Sequence, residues 1–459
     1  MHGRMIRLRI GHVQAAASCQ QDVLRIRRPG LSPKAMCKRM RPAMKKTRRR
    51  LDYSHVILAS GFTVLFFSSG TRMAFGLVLK PMSEDLDLSR SALTSAFTIF
   101  MVVSALTMPI VGRLIDTYSI RVIIAIGTVV GAAAIALMGQ INAAWQLYVL
   151  YGLVFAVGHA ASSVAPVSVL MSRWFPERRG LAASAAISGN GIGQLVIIVL
   201  MASFLDSLGW RTSYAILGAV NAVVVLPVAL TVIRSHPPIS PTTAVIASDE
   251  PMAPDTSLPL REALKSREFM LLVALYAACG AQDFFIATHI VAFAQDQGIS
   301  QFLAGNILAF MGLFGLTGVL ISGAMSDKMG AARPTVLCFL LRIGLFAYIP
   351  IFQDTASITV FALLYGFTFT MTAPLTVVFV SNIFGTSKLG TISGLINMVH
   401  QVAGGLGAAL GAVIFDWRGS YDTAFVIMLV LAVMGTVAVT ALRERPWNTG
   451  WLQRTASSI

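Results

Sequence analysis

Besides histidines, three ionisable side chains lie deep inside long apolar runs of this sequence: Arg72, Asp283 and Arg342. An ionised group at the centre of a bilayer costs about 2.5–3.5 kcal/mol or more, so each needs a partner or a task. Arg72 follows Ser68 and Ser69 by one helical turn and can share a small polar face with them. A guanidinium holds a carboxylate through two parallel hydrogen bonds, which makes Arg72 a candidate anchor for an anion. The structural alternative is an arginine snorkelling to the outer interface. Asp283 is the one carboxylate well inside a run. An isolated carboxyl at that depth can carry a proton, so Asp283 is the proton-coupling candidate, with Arg72 as a possible partner when no substrate is bound. A helix-packing hydrogen bond is the alternative there. Arg342 reads as structural, reaching toward the inner interface or a helix end.

Neutral polar residues add a second tier of substrate-binding candidates. Gln282, Ile286 and His289 are spaced i, i+4, i+7, one face of a helix, and Asp283 points about 100° away from Gln282. His159, Ser162, Ser163 and Pro166 form a similar stripe, as do Asn397, His400 and Gln401, and Asn190 with Gln194. Small and polar residues also hold helices together, so packing competes with substrate contact at each position. The histidines carry more weight, because imidazole can donate to a carboxylate and titrates near neutrality.

The elements that must position these groups follow from composition. The chain has 459 residues, 56% hydrophobic and 12% charged, with a mean hydropathy of +0.73. Soluble proteins carry about 25% charged residues. So much apolar side chain belongs in lipid, where a crossing helix needs about 20 residues. Apolar runs fall at about 55–79, 91–112, 122–141, 145–171, 180–205, 212–233, 268–294, 301–325, 334–353, 356–383, 389–414 and 421–442. Backbone groups must be satisfied inside lipid, so all twelve are expected to be helices of a multi-pass, all-α membrane protein. With both termini in the cytoplasm of a cell (inner) membrane, internal loops and the C-terminus hold fifteen Lys or Arg after residue 51, and external loops hold four.

The net charge of +16 belongs to a tail: residues 1–50 hold 15 of the 36 Lys and Arg and one acid. The tail, 1–54, is expected to be a disordered cytoplasmic leader against anionic lipid rather than a nucleic-acid arm. Residues 55–233 and 268–442 are expected to form two six-helix bundles, with a Pro-rich cytoplasmic linker at 234–267 and a C-terminal tail at 443–459. LPLREALKSREF, 258–269, could add a short amphipathic helix. The four cysteines form no CxxC pair, and no metal or cofactor is expected. Walker, GxSxG and HExxH patterns are absent and the Gly-rich stretches follow no strand, which leaves no enzyme reading.

An internal repeat links the halves. GRLIDTYSIR at 112–121 answers GAMSDKMGAAR at 323–333, with Gly112/Gly323 and Asp116/Asp327 each 211 apart. FPERRG at 175–180 answers FGTSKLG at 384–390, and WRTSY at 210–214 answers WRGSY at 417–421. Three matches in order argue for duplicated, pseudo-symmetric six-helix units. The Gly-x-x-x-Asp loops resemble the signature of the major facilitator superfamily. That resemblance implies a conformational latch at Gly112, Asp116, Gly323, Asp327 and Lys328. Thr117 and Ser119 depart from the pattern, which implies a weaker N-terminal latch. Within the superfamily, GTRMAFGLVLKPM at 70–82, RWFPERRGLAASAAISGNGIGQ at 173–194, CGAQDFFIATH at 279–289 and HQVAGGLGAALG at 400–411 resemble the monocarboxylate porter and oxalate/formate antiporter branch.

The resemblance implies a monomeric secondary transporter that moves a small organic anion, a monocarboxylate, by alternating access, as a proton symporter or an anion antiporter. An exporter of lipophilic or cationic compounds, with Asp283 attracting the cation, is the alternative. A membrane sensor acting through the basic tail is the reading from another class. Neither implies a nucleic-acid partner.

Overall fold

The computed structural model describes residues 33–88, 90–237 and 259–444. Among them every regular element is helical. Twelve spans follow in chain order. They are α1 (Pro33–Leu86), α2 (Arg90–Thr117), α3 (Ile120–Met138), α4 (Ala144–Trp174), α5 (Arg179–Leu205), α6 (Ser207–Val232), α7 (Arg267–Asp296), α8 (Gln301–Met329), α9 (Ala332–Tyr348), α10 (Thr355–Phe369 with Leu375–Phe384), α11 (Leu389–Arg418) and α12 (Asp422–Ala441). Ten are long and apolar enough to cross a membrane. The other two are α9, shortened to 17 residues and carrying Arg342, and α10, broken in its middle.

Residues 1–32, 238–258 and 445–459, which carry most of the expected leader, linker and C-terminal tail, lie outside the described residues. The first helix begins at Pro33, inside the segment expected to be without structure. A short helix, Leu260–Lys265, forms within the expected amphipathic segment and buries Ala263. The chain bends at Gly209, near the start of α6, where a φ of +72° disfavours any side chain.

Each half has its own aromatic core. Phe75, Phe97, Phe100, Tyr151 and Phe155 stack in the first, with Phe75 and Tyr151 centroids 4.3 Å apart. Phe285, Phe293, Phe346, Phe361 and Phe425 interlock edge-to-face in the second. Lipid tails are as apolar as these rings, so the gain is in contact geometry, about 0.5–1.5 kcal/mol per good aromatic pair. The outer surface offers Leu106, Ile110, Val223 and Leu406, all exposed, to acyl chains. The halves meet along α2 against α11 and α5 against α8.

The fourth helix of each half is discontinuous, which the apolar runs alone did not announce. Helix α4 contains a wider π-helical stretch, Tyr148–Phe155, and breaks at Ser162–Ser163 before restarting at Val164 with Pro166 in its first turn. Helix α10 stops at Phe369 and restarts at Leu375 after Pro374. A proline cannot donate to the turn before it, so backbone acceptors are released at both sites. Side chains take them up. Ser162 and Ser163 hydroxyls donate to Gly158 and Ala160 carbonyls, and Ser322, Tyr276 and Arg342 donate to Met371, Thr372 and Thr368 carbonyls. Irregular backbone at membrane depth survives only where protein or a wet cavity surrounds it.

Candidate functional site

Both breaks open onto one cavity of about 240 Å³ between the halves. The first half contributes Ser68, Ser69, Arg72, His159, Ser163 and Asn190; the second contributes Tyr276, Asp283, Thr372, Asn397, His400 and Gln401. Leu65, Met108, Phe284 and Phe369 supply apolar wall. Its volume falls below the roughly 300–1,000 Å³ of drug-sized pockets, which suits a small metabolite.

Arg72 is the least compensated group in this cavity. Its guanidinium makes no hydrogen bond and no ion pair among the described residues, and its Nε is buried without a partner. Its surroundings hold it rather than neutralise it. Tyr151 donates to its backbone carbonyl at 3.1 Å, and neighbouring Thr71 is held by Asn221 at 2.7 Å. His159 sits beside it, with Nδ1 2.9 Å from the Ser68 hydroxyl and its ring against Phe100 and Phe155. Asn190 and Gln401 leave their amides without protein hydrogen bonds among the described residues, and Asn397 donates only to the Ser393 carbonyl of its own helix.

Asp283 does not pair with Arg72. One carboxylate oxygen accepts from Arg342 Nη2 at 2.7 Å and from the Tyr365 hydroxyl at 3.0 Å. The other lies 3.4 Å from His400 Nε2 and from Cys279 Sγ. Arg342 therefore does not reach for the interface. It is fully buried and satisfies all five N–H groups inside the second half, on Asp283, Gln282, Cys279 and Thr368. One signal in the sequence points to this pair. Two opposite charges buried in neighbouring spans of the same half should find each other, because neither is tolerable alone.

Two sequence candidates fall outside the cavity. Gln282 is fully buried, donates to the Met428 carbonyl at 2.9 Å and accepts from Arg342. His289 has both ring nitrogens engaged, with the Tyr421 hydroxyl at 3.2 Å and the Ala408 carbonyl at 2.8 Å. Both brace α7 against α11 and α12, so neither is free to touch a substrate. Helical spacing gave their shared face correctly; that face turns to α12 rather than to the cavity.

Cys279, Asp283 and His400 bring their ligand atoms within 4.8 Å of one another. Those donor types could hold a soft or borderline metal. Arg342 donates to both the thiol and the carboxylate, so a dication there would face a buried guanidinium. The cluster fits an ion-pair network better than a metal centre.

The repeated loops tie the two halves together. Asp116 accepts from the Gly390 and Thr391 backbone at 2.8 and 2.7 Å and from the Thr391 hydroxyl at 2.6 Å. Asp327 accepts from the Gly180 and Leu181 backbone at 2.7 and 2.9 Å. Each carboxylate thus caps the first turn of a helix in the opposite half, where free N–H groups and the helix dipole attract an anion. Close approach allows it: a Cβ on Gly112 would collide with the Gly390 carbonyl, and one on Gly180 with the Gly323 carbonyl. The N-terminal loop makes three such bonds and the C-terminal loop two. Lys328 is exposed and makes no bond among the described residues.

A family model described as Major Facilitator Superfamily matches residues 61–408. An uncharacterized MFS-type transporter, YcxA of Bacillus subtilis, is 27% identical over 84% of this chain and 94% of its own. Monocarboxylate transporter 12 of Xenopus laevis is 23% identical over 70% and 74%. The oxalate:formate antiporter of Oxalobacter formigenes is 24% identical over 82% and 88%. Among solved structures, a variant of the E. coli fucose:proton symporter FucP superposes with a TM-score of 0.66 at 15% identity, over 84% of this chain and 98% of that one.

Proposed function

Because the chain belongs to the Major Facilitator Superfamily and is one of its transporters, with a small molecule as cargo, we propose that this cargo is a small organic anion, a monocarboxylate. Transport is secondary active, by alternating access, coupled to a proton or to a counter-anion. The latched face is cytoplasmic, as are both termini.

One observation carries this reading: the half-buried, unpaired guanidinium of Arg72 in the central cavity, with its Nε fully buried. An uncompensated charge in that setting destabilises the empty carrier, and an incoming carboxylate removes the penalty through two charge-assisted hydrogen bonds. The open amides of Asn190 and Gln401 and the hydroxyls of Ser68 and Ser69 can then orient the rest of a small substrate. The names of the relatives, monocarboxylate transporter and oxalate:formate antiporter, point to the same chemistry. The cationic-exporter alternative loses its attractor, because Asp283 is already engaged by Arg342 and His400.

The test is uptake of a radiolabelled carboxylate panel by proteoliposomes, with and without a pH gradient, in competition with lipophilic cations. Saturable uptake of monocarboxylates, blocked by other carboxylates and not by cations, is expected. Inhibition by lipophilic cations alone would refute it.

A further inference from the structure

We propose that His400 carries the coupling proton, on Nδ1, while Asp283 remains ionised as its fixed counter-charge. This rests on the carboxylate reading above and makes proton symport the coupling mode.

The reason is how the Asp283 cluster divides its exposure. The Arg342 side chain is 0% exposed and Asp283 4%, while that of His400 is 23% exposed and lines the cavity. Protonating Asp283 would leave Arg342 with no counter-charge in the interior, so the carboxylate is locked in its ionised form by its partner. His400 faces the carboxylate through Nε2. With Nε2–H as donor, the neutral tautomer leaves the Nδ1 lone pair without a hydrogen-bond partner among the described residues. A hydronium ion entering the cavity gives up its proton there, its O–H bond breaking as the N–H bond forms, which leaves water and an imidazolium next to a carboxylate. No bond other than N–H forms, and the same proton leaves on the other side.

The groups around His400 permit this change. On α7 it meets Asp283, Cys279 and the Tyr276 ring; behind them stand Arg342 on α9 and Tyr365 on α10. Across the cavity are Arg72 and His159. The charges of Arg72, Arg342 and Asp283 sum to a single positive charge. A monocarboxylate with one proton therefore leaves the loaded carrier at the same charge as the empty one, which makes the cycle electroneutral. Packing keeps the pair together during rocking: a Cβ on Gly280 would strike the His400 backbone, so α7 and α11 have no slack there.

The experiment measures proton and label fluxes together in proteoliposomes that trap a pH dye, with radiolabelled acetate, lactate and pyruvate as probes. Wild type is expected to move one proton with each carboxylate, and whatever flux remains in His400→Gln and His400→Lys is expected to move without protons. Proton movement at the wild-type ratio in either variant would overturn the assignment. So would wild-type carboxylate flux without protons, which leaves the carboxylate reading intact. Wild type moving none of the probes would overturn both. Should the variants move no label, infrared difference spectra of wild type decide. Probe binding without a new protonated-carboxyl carbonyl band supports His400, and appearance of that band overturns it.

Discussion

The Arg342–Asp283 pair makes the sharpest energetic prediction. Arg342→Met removes five donors and strands a carboxylate that is 4% exposed, with only the Tyr365 hydroxyl, the Cys279 thiol and His400 left beside it. An uncompensated buried charge costs about 3–5 kcal/mol, and Asp283→Leu alone strands the guanidinium at a similar cost. Removing both partners removes both desolvation penalties, and apolar replacements of such pairs are often neutral. The double variant should therefore recover most of the loss, with a coupling energy of about 3 kcal/mol or more against the 0.5–3 usual for contacting residues. A double-mutant cycle, measured by detergent-titrated unfolding in mixed micelles, reads this directly. Additivity, with the double variant as unstable as the sum of the singles, would refute the buried-pair description.

Two further outcomes follow from the latch face. Asp116→Asn keeps one acceptor but loses the charge from three hydrogen bonds, each worth about 1.5–3 kcal/mol. In a cysteine-depleted background, a cysteine in place of buried Ser393 should then label about tenfold faster or more with a membrane-impermeant thiol reagent applied from the latch face, since about 1.4 kcal/mol already corresponds to that factor. Unchanged labelling would exclude the latch role. Glu444, just beyond α12, caps the start of α9 at Ala331, and burial holds its carboxyl above the usual range. A raised carboxyl contributes stability below its unfolded value that is lost as pH rises through its folded value. Wild type should therefore gain thermal stability on acidification through the range just above the ordinary carboxylate value, and Glu444→Gln should lose that gain. Parallel pH profiles would contradict it.

The fold was largely legible, because membrane insertion demands long apolar runs and the halves repeat their loops. Asp116 and Asp327 stand at equal offset in the repeat, each four residues after a glycine, and both carboxylates bond across to the opposite half. The cavity was legible in part. Arg72, His159, Asn190, Asn397, His400 and Gln401 do line it, because polar groups in lipid spans turn inward. Gln282 and His289 obeyed the same rule but turned toward a neighbouring helix, and one-dimensional spacing does not distinguish two inward directions. The pairing of Asp283 with Arg342 was legible only as opposite charges within one half, because spacing along a helix does not say which spans meet. The breaks in α4 and α10 left a trace in Ser162, Ser163 and Pro166 and in Thr370, Thr372 and Pro374. Whether a proline kinks or breaks a helix depends on donors from other helices, here Ser322 and Tyr276, far away in sequence.

Binding of a monocarboxylate to purified wild type, Arg72→Lys and Arg72→Ala tests the anion anchor most directly. Losing a buried, charge-assisted contact costs about 2–5 kcal/mol, so Arg72→Ala should weaken binding about 30-fold or more and stop uptake while the protein still reaches the membrane. Arg72→Lys, which keeps the charge and loses the planar fork, should fall between the two. Wild-type affinity and uptake in Arg72→Ala would contradict the anchor and the anion reading with it.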